Sequence, residues 1–300
     1  MKLSHGQAAG LMVLVTLMWS IAGVVTRHLD GARSFEVTFW RSLFNALALV
    51  VALSWMRGPA GLLRELRGGG RWLWVSSLCW MVMYTNFMVA ITLTTVATVL
   101  VTLAIAPLIT ALFSRVFLRR RLPARTWGAI AVAGAGIGWM FGQQAFSGGG
   151  SMVGAMVALG VPLAAATNWT LLQHLSDRHA ADPSVKMPDM LPAVLLGAAL
   201  SALVTLPLSL PFSATPHDLG LLGLLGVVQL AIPCLLAVQL AKVLPAAEIS
   251  LLALLEVIFG VLLAWVGAGE VPSPTAVQGG LLVVGALVAN ELLGLRERRA

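Results

Sequence analysis

Long apolar segments follow one another along almost the whole chain, and this feature limits the fold more than any other. Hydrophobic residues fill 59% of the 300 positions and charged residues only 10%, which is more apolar surface than a water-soluble domain of this length buries. A helix needs about 20 residues to cross the hydrocarbon core of a bilayer. The sequence lacks the alternation of apolar and polar residues that marks a membrane β-barrel. We therefore predict an all-α membrane protein.

Ten transmembrane helices are predicted, five on each side of a glycine-rich break at residues 147–150. The predicted spans are 8–26, 36–56, 72–91, 94–113 and 124–141, then 152–172, 191–210, 219–240, 246–266 and 275–293. His174 and His179, with Asp177 and Asp182, are predicted to lie in a solvated loop between the sixth and seventh spans. The first apolar segment also resembles a cleavable signal peptide. The internal repeat requires that segment as its first helix.

Basic residues are distributed unevenly between the predicted loops. With the amino terminus in the cytoplasm, 16 of the 19 lysine and arginine residues fall on cytoplasmic segments; Arg27 and Arg33 fall outside and Arg41 lies within the second span. Because basic residues are retained on the cytoplasmic side, we predict a multi-pass protein of the bacterial inner membrane with both termini in the cytoplasm. The net charge of +7 then reflects topology, and no nucleic-acid partner is expected.

The two halves of the chain are related by a weak internal repeat. A shift of 149 residues aligns Ala97 with Ala246, Leu103 with Leu252, Ala104 with Ala253, Pro123 with Pro272, Thr126 with Thr275 and Gly136 with Gly285. Because each half has an odd number of spans, the second half must be inverted in the membrane. We expect residues 1–146 and 147–300 to form two inverted five-helix repeats within one membrane domain, an arrangement found in secondary transporters.

The ninth span and its flanks carry the most informative motif of the sequence. It consists of Leu244-Pro245-Ala246-Ala247-Glu248, Leu255-Glu256-Val257, Ala264-Trp265 and Gly269-Glu270-Val271-Pro272, with shorter matches at Trp19-Ser20, Arg41, Pro107 and Trp169. Through these residues the chain resembles the ten-helix EamA-type branch of the drug/metabolite transporter superfamily. Two positions depart from that pattern: Val257 replaces the usual proline, and Arg121 stands where an acidic residue would match Glu270.

The resemblance implies a basket of helices around a central cavity that opens alternately to each side of the membrane. Proteins of this kind commonly export amino acids, related metabolites or toxic compounds. The resemblance covers nearly the whole chain, but it does not specify the substrate.

Two charged residues within predicted spans are the main candidates for function, because a charge at the bilayer centre costs about 2.5 to 3.5 kcal/mol on insertion scales. Glu256 lies midway along the ninth span and is a candidate proton carrier. The alternative is that Glu256 pairs with Arg41 and fixes helix packing. Arg41, about one turn into the second span, either binds a substrate carboxylate or extends to the membrane interface. Glu248, Glu270 and Glu291 lie near helix ends and are predicted to be solvated.

Aromatic and amide side chains within the spans are the other candidates for substrate binding, since they offer stacking and hydrogen bonding to an amphipathic solute. With Glu256, the predicted substrate-binding residues are Trp19, Trp80, Tyr84, Asn86, Asn168, Trp169 and Gln229. For each of them the alternative is helix packing or anchoring at the membrane interface. Gly134, Gly138 and Gly142 form a small-residue stripe that allows another helix to approach closely, inside the protein or across a dimer, and we predict packing inside the protein.

The sequence contains no phosphate-binding glycine loop with lysine, no cluster with metal-ligand spacing and no nucleophile triad. We therefore expect that the protein binds no cofactor and no metal and that it is not an enzyme. The predicted function is export of a small amphipathic metabolite by alternating access, with a proton as the candidate coupling ion and uniport as an alternative. A membrane-embedded enzyme or lipid scramblase is the competing class, and it would need acids or histidines converging at one interface. The expected partners are the solute and the bilayer, with monomer and homodimer both open.

Overall fold

The computed structural model describes residues 3–26, 28–32, 34–94, 99, 102–147, 151–182, 184, 188–268 and 274–299. Helices make up nearly all of these residues, and no strand occurs among them. The helices are α1 (His5–Thr26), α2 (Ser34–Arg57), α3 (Pro59–Gly68), α4 (Gly70–Leu93), α5 (Ala106–Phe117), α6 (Ala124–Ser147), α7 (Met152–Ala181), α8 (Leu191–Ser209), α9 (Pro216–Leu224), a π-helical segment (Leu225–Ala231), α10 (Ile232–Leu240), α11 (Ala246–Ala253), α12 (Leu255–Ala268) and α13 (Pro274–Arg299).

The predicted all-α membrane fold is confirmed. Within the described residues, seven stretches are long and apolar enough to cross a membrane: they lie in α1, α2, α4, α7 and α8, in α9 through α10, and in α11 through α12. The helix α5 and residues 277–290 of α13 are shorter apolar helices. The start of the predicted fourth span, including Thr95 and Thr98, and the glycine break at 148–150 lie outside the described residues. The count of ten spans therefore stays a prediction.

The helix α7 is longer than its sequence predicted. It continues to Ala181, so that His174, Asp177 and His179 lie on its last turns and not in a loop. The loop prediction was wrong because hydropathy marks where a helix leaves the bilayer and not where it ends. The basic residues Arg178 and His179 in the last turn also favour a helix carboxyl terminus.

The short helix α3 was not predicted, because its ten residues are too few and too polar for a span. Pro59 occupies its first turn. Backbone N–H groups in a first turn have no acceptor within the helix, so proline costs no hydrogen bond there. Its Leu62 is buried, and the helix packs against α2 and α8. At the end of α2, Arg57 forms ion pairs with Glu65 of α3 and with Asp189 before α8.

The contacts between helices follow the repeat. The pair α4 and α7 corresponds to the contact of α1 with the π-helical segment and α10, and the pair α5 and α7 corresponds to α12 and α1. The pair α4 and α8 corresponds to the contact of α2 with the π-helical segment and α9. Equivalent helices of the two halves also meet directly, as α2 with α8, α5 with α11, and α6 with α13. Such matched contacts are expected when two repeats are related by a twofold axis.

Two glycines allow close approach between helices of the two halves. A Cβ atom added to Gly226, in the π-helical segment, would lie 2.6 Å from the Phe44 Cβ and 2.9 Å from the Arg41 carbonyl oxygen of α2. A Cβ atom on Gly197 of α8 would lie 2.4 Å from the Trp80 Cβ of α4. These two crossings belong to corresponding helix pairs of the repeat, so the two halves are joined by a similar close contact at two related places.

We expect the Gly226→Ala substitution to lower the free energy of unfolding by about 1 to 3 kcal/mol, the usual cost of overpacking a rigid contact. The clash involves backbone atoms, so side-chain rotation does not relieve it. Thermal unfolding of the detergent-purified protein measures the effect. Gly220→Ala is the matched control, since its Cβ meets no atom within 4 Å and alanine favours a helix by up to about 1 kcal/mol. Equal stability of the two variants would contradict the close crossing.

The prediction that Gly134, Gly138 and Gly142 of α6 pack against another helix inside the protein was wrong. A Cβ atom on Gly134, Gly138 or Gly142 would meet no other described atom within 4 Å. The close contact is made instead by Gly136, where a Cβ would lie 2.7 Å from the carbonyl oxygen of Gly279 in α13. The spacing of small residues indicates a smooth face, but it does not determine which face meets a neighbour.

Two carboxylates fasten the loops at the end of the bundle where α1 ends. Asp218, in the first turn of α9, accepts the backbone N–H groups of residues 30, 31 and 32 at 2.8, 3.0 and 3.2 Å. Glu36, in the first turn of α2, accepts those of Ser213 and Ala214 at 2.9 and 2.8 Å. Each carboxylate thereby satisfies several backbone donors at once, through hydrogen bonds that are partly buried. The loop after α1, in the first half, is therefore bonded to α9 of the second half. The loop before α9 is bonded to α2 of the first half.

Candidate functional site

A cavity of about 160 Å³ lies between helices of both halves. The predicted substrate residues that line it are Trp19 of α1, Arg41 of α2, Trp80 and Tyr84 of α4, Trp169 of α7, Gln229 of the π-helical segment and Glu256 of α12. Most of the remaining lining is apolar, including Met83 and Phe87 of α4 and Pro162 of α7. An apolar cavity with a few polar groups converging on it is the usual form of a small-molecule site.

Arg41 is buried, with 2% of its surface exposed. Its Nη2 donates a hydrogen bond to the Tyr84 backbone oxygen at 3.2 Å, and its Nε has no hydrogen-bond partner among the described residues. The expectation that Arg41 extends to the membrane interface is wrong, because α2 begins at Ser34 and places it two turns inside the helix. The π-helical segment also covers this part of α2. The guanidinium therefore faces the cavity as a charge without a carboxylate partner within the described chain.

Glu256 lies in the first turn of α12, directly after an interruption at Leu254. The ninth span was predicted as one continuous helix, but the backbone there forms shorter-range bonds, from Leu254 N to Leu251 O and from Val257 N to Leu254 O. Interrupted membrane helices are tolerated where they border a cavity. Glu256 is partly exposed and, like Arg41, lines the cavity. The two side chains form no ion pair in the part of the chain that is described, so both charges face the same space.

The aromatic side chains form a continuous wall on one side of the cavity. The Trp80 ring stacks on Tyr84 with centroids 5.6 Å apart and meets Trp169 edge to face at 5.7 Å. All three are buried. Within the described residues, the Trp80 Nε1 has no hydrogen-bond partner. This wall offers flat apolar surface and an indole N–H that is still able to donate a hydrogen bond.

Gln229 is positioned by the π-helical segment. Its Nε2 donates to the Trp19 backbone oxygen at 3.2 Å, which joins the eighth predicted span to the first. Its Oε1 has no hydrogen-bond partner in the described chain. Pro233 lies four residues later and has no N–H for the Gln229 carbonyl, which explains why the helix widens there. Single wide turns of this kind occur often at functional sites.

The amides of Asn86 and Asn168 do not line the cavity. Asn86 of α4 donates from Nδ2 to the Val157 backbone oxygen of α7 at 3.1 Å. Asn168 of α7 is fully buried and accepts a hydrogen bond from the Ser76 hydroxyl of α4 at 2.6 Å. Both amides therefore join α4 to α7, which corresponds to the packing alternative stated for them.

The other acidic residues of the last two predicted spans differ in their surroundings. Glu248, predicted to be solvated, has a side chain only 12% exposed, and its Oε1 lies 2.6 Å from the Nε2 of His5 in α1. That prediction was wrong because the start of α1 covers the start of α11. Glu270 and the side chain of Glu291 lie outside the described residues.

Three side chains of metal-binding types lie together at the opposite end of α1: Asp30, His217 and Asp218. The oxygens of Asp218 already accept backbone N–H groups from residues 30–32, and Asp30 lies 3.2 Å from the Nδ1 of His217. These bonds explain the cluster as a loop fastening, and we assign no metal to it.

Comparison with known proteins agrees with the two-fold organisation of the bundle. The pattern that defines the EamA-like transporter family matches residues 7–142 and, a second time, residues 152–290. No curated protein sequence matches the chain significantly. Among solved structures, one titled "Crystal structure of protein" covers 97% of this chain and 99% of its own, with 19% sequence identity and a TM-score of 0.72, and thus shares the fold. The chain belongs to the EamA-like transporter family, and it is a multi-pass membrane transporter of small solutes.

Proposed function

We propose that the protein exports an amino acid, or a related amphipathic metabolite with a carboxylate, by alternating access. The observation that carries this proposal is the cavity in which Arg41, Glu256 and the aromatic wall of Trp80, Tyr84 and Trp169 meet. An arginine that faces an apolar cavity without a carboxylate partner in the described chain is suited to bind a substrate carboxylate. The neighbouring rings are suited to an apolar side chain.

Glu256 is the proposed proton carrier of the cycle. It occupies a helix interruption beside the cavity and has no ion-pair partner in the described chain. An intramembrane carboxylate of this kind is a common element of proton relays in transporters. The Glu256 carboxylate would bind either the cationic amine of the solute or a proton, but not both. Because one replaces the other, solute export would be coupled to proton entry.

The proposed orientation places the end of the bundle that carries His5, Arg57 and Arg120, here called the basic end, in the cytoplasm of a bacterial cell. At this end α5 packs against α11, and Ala111, Leu251 and Leu254 belong to one buried cluster. An apolar seal of this type supports a closed cytoplasmic gate. Opening that gate would require α5 and α11 to separate. Each belongs to a longer predicted span, the fourth and the ninth, and an approach of the remaining parts of these two spans would close the opposite side.

Thermal unfolding in detergent tests the substrate class. A ligand that binds only the folded state raises the unfolding midpoint. At a ligand concentration of a hundred times the dissociation constant, the free energy of unfolding increases by about 2.7 kcal/mol. We expect a saturable increase with amino acids that have large apolar side chains, and none with nucleosides or polyamines. The measurement uses the full chain and a concentration series for each compound.

Two variants give this experiment its control. Trp169→Leu removes a ring of the cavity wall and should reduce the increase, whereas Trp74→Leu replaces an exposed ring of α4, outside the cavity, and should not. A panel without any saturable increase would contradict an amino-acid substrate and favour a lipid substrate, which is the competing scramblase class.

A further inference from the structure

A second cavity, of about 190 Å³, lies at the basic end of the bundle. It is enclosed by the start of α1, the end of α5, the chain that joins α5 to α6, the end of α7 and the start of α11. None of the predicted substrate residues lines it. The proposed export function therefore assigns it no role.

Three arginines border this cavity: Arg120, Arg121 and Arg125. They follow a tight turn in which the Ser114 carbonyl accepts the N–H groups of Leu118 and Arg120, each at 3.2 Å. Arg119 within the turn has φ +52°, a left-handed conformation that costs a residue other than glycine about 1 to 2 kcal/mol. The turn reverses the chain, and so brings the arginines that follow it to the mouth of the cavity.

The arginines of the cavity differ in their partners. Arg120 pairs with Asp177 of α7 at 2.7 Å, and Arg125 donates from Nη1 to the Asn290 backbone oxygen at 3.2 Å. The carboxylate in the lining, Glu248, lies 2.6 Å from the Nε2 of His5. Arg121 is exposed at the mouth and forms no ion pair in the described chain. The charge of Arg121 is therefore available to an anion that enters the cavity.

A buried hydroxyl provides a second, independent indication of a ligand. Ser114 lines the cavity and has only 1% of its surface exposed. Its Oγ has no hydrogen-bond partner among the described residues. A buried hydroxyl that is left unbonded costs about 1 to 3 kcal/mol, which a bound acceptor would remove.

We infer that this cavity binds a phosphate-type oxyanion at the basic end of the bundle. Guanidinium groups bind phosphate through paired N–H donors, and the Ser114 hydroxyl that lines the cavity supplies a further donor. The oxyanion belongs either to the headgroup of an anionic phospholipid or to a soluble phosphate compound, since the cavity is at the end proposed to lie near the cytoplasmic leaflet. Its occupant joins α5 to α11 and α7 across the closed end.

Thermal unfolding of the purified full chain tests this site with two probes at constant ionic strength. The first is inorganic phosphate compared with chloride. The second is water-soluble short-chain phosphatidylglycerol compared with short-chain phosphatidylcholine. If the occupant is a lipid headgroup, we expect phosphatidylglycerol alone to raise the unfolding midpoint saturably by several degrees. If the occupant is a soluble phosphate compound, inorganic phosphate should raise the midpoint as well.

The variants separate this site from general charge effects. Arg121→Gln and the double variant Arg121→Gln/Arg125→Gln should weaken the apparent affinity at least tenfold. Arg64→Gln/Arg67→Gln removes two exposed arginines of α3 and should leave it unchanged. Arg121→Gln replaces an exposed side chain, so its fold should be intact. No saturable rise with either probe, or an equal rise in all variants, would overturn the inference, and neither result bears on the central cavity.

Discussion

The Arg41→Met variant is expected to unfold at a higher temperature than the wild type and to bind its solute about tenfold to a hundredfold more weakly. Arg41 is buried and forms one hydrogen bond, to a backbone carbonyl. Replacing a buried charge by an apolar side chain of similar volume is often neutral or stabilising. A charge-assisted hydrogen bond to a substrate carboxylate contributes about 1.5 to 3 kcal/mol, which corresponds to the expected loss of affinity.

A structural role for Arg41 predicts the opposite pair of results. If the side chain only fixes α2 against α4, its replacement should lower the unfolding midpoint and leave the affinity of the remaining folded protein unchanged. Thermal unfolding with and without the solute, and equilibrium binding to the purified variant, measure both quantities. Arg64→Met, which replaces an exposed arginine of α3, is the control for loss of a positive charge.

The membrane fold could be predicted from the sequence because span formation depends on local hydropathy. The segments around α1, α2 and α8 needed no knowledge of their neighbours, since each is apolar over about the thickness of a bilayer. The repeat could be predicted from residues such as Pro123 and Pro272, although Pro272 lies outside the described chain. The end of α7 could not, because nothing in hydropathy distinguishes a helix that continues into water from a loop.

The cavity residues could be predicted in part. Rare polar and aromatic residues within spans are costly in lipid, so their side chains face the interior, and this reasoning holds for Arg41, Gln229 and Glu256. It did not separate Gln229 from Asn168, which is also buried but faces Ser76. Which part of the interior a side chain reaches depends on helix rotation, and rotation is determined by packing that the sequence does not show.

The irregular backbone beside the cavity was also beyond local reasoning. Pro233 was a visible signal for the widened turn around Gln229, but proline is tolerated in many membrane helices without such a turn. The interruption at Leu254 has no proline or glycine to mark it. Both irregular segments lie next to candidate charges or amides of the cavity, which agrees with the use of broken helices at transporter binding sites.

The Glu256→Gln variant is expected to lose accumulation of solute driven by a pH gradient and to keep the exchange of solute at equal pH on both sides. Glutamine keeps the size and polarity of the side chain but binds no proton. For exchange of one proton per solute, a gradient of one pH unit supports about tenfold accumulation, and this ratio should fall to about one in the variant. The measurement is uptake of labelled solute into proteoliposomes with an imposed pH gradient.

Glu248→Gln is the matched control, because Glu248 lies on the same predicted span but faces the cavity of the basic end and His5. Its accumulation ratio should equal that of the wild type, since the proposed proton carrier is intact. If instead Glu256→Gln accumulates solute as the wild type does, then Glu256 carries no proton and is a polar residue of the cavity wall. If both variants lose accumulation while exchange continues, the proton path includes the basic end, and Glu248 together with His5 becomes part of it.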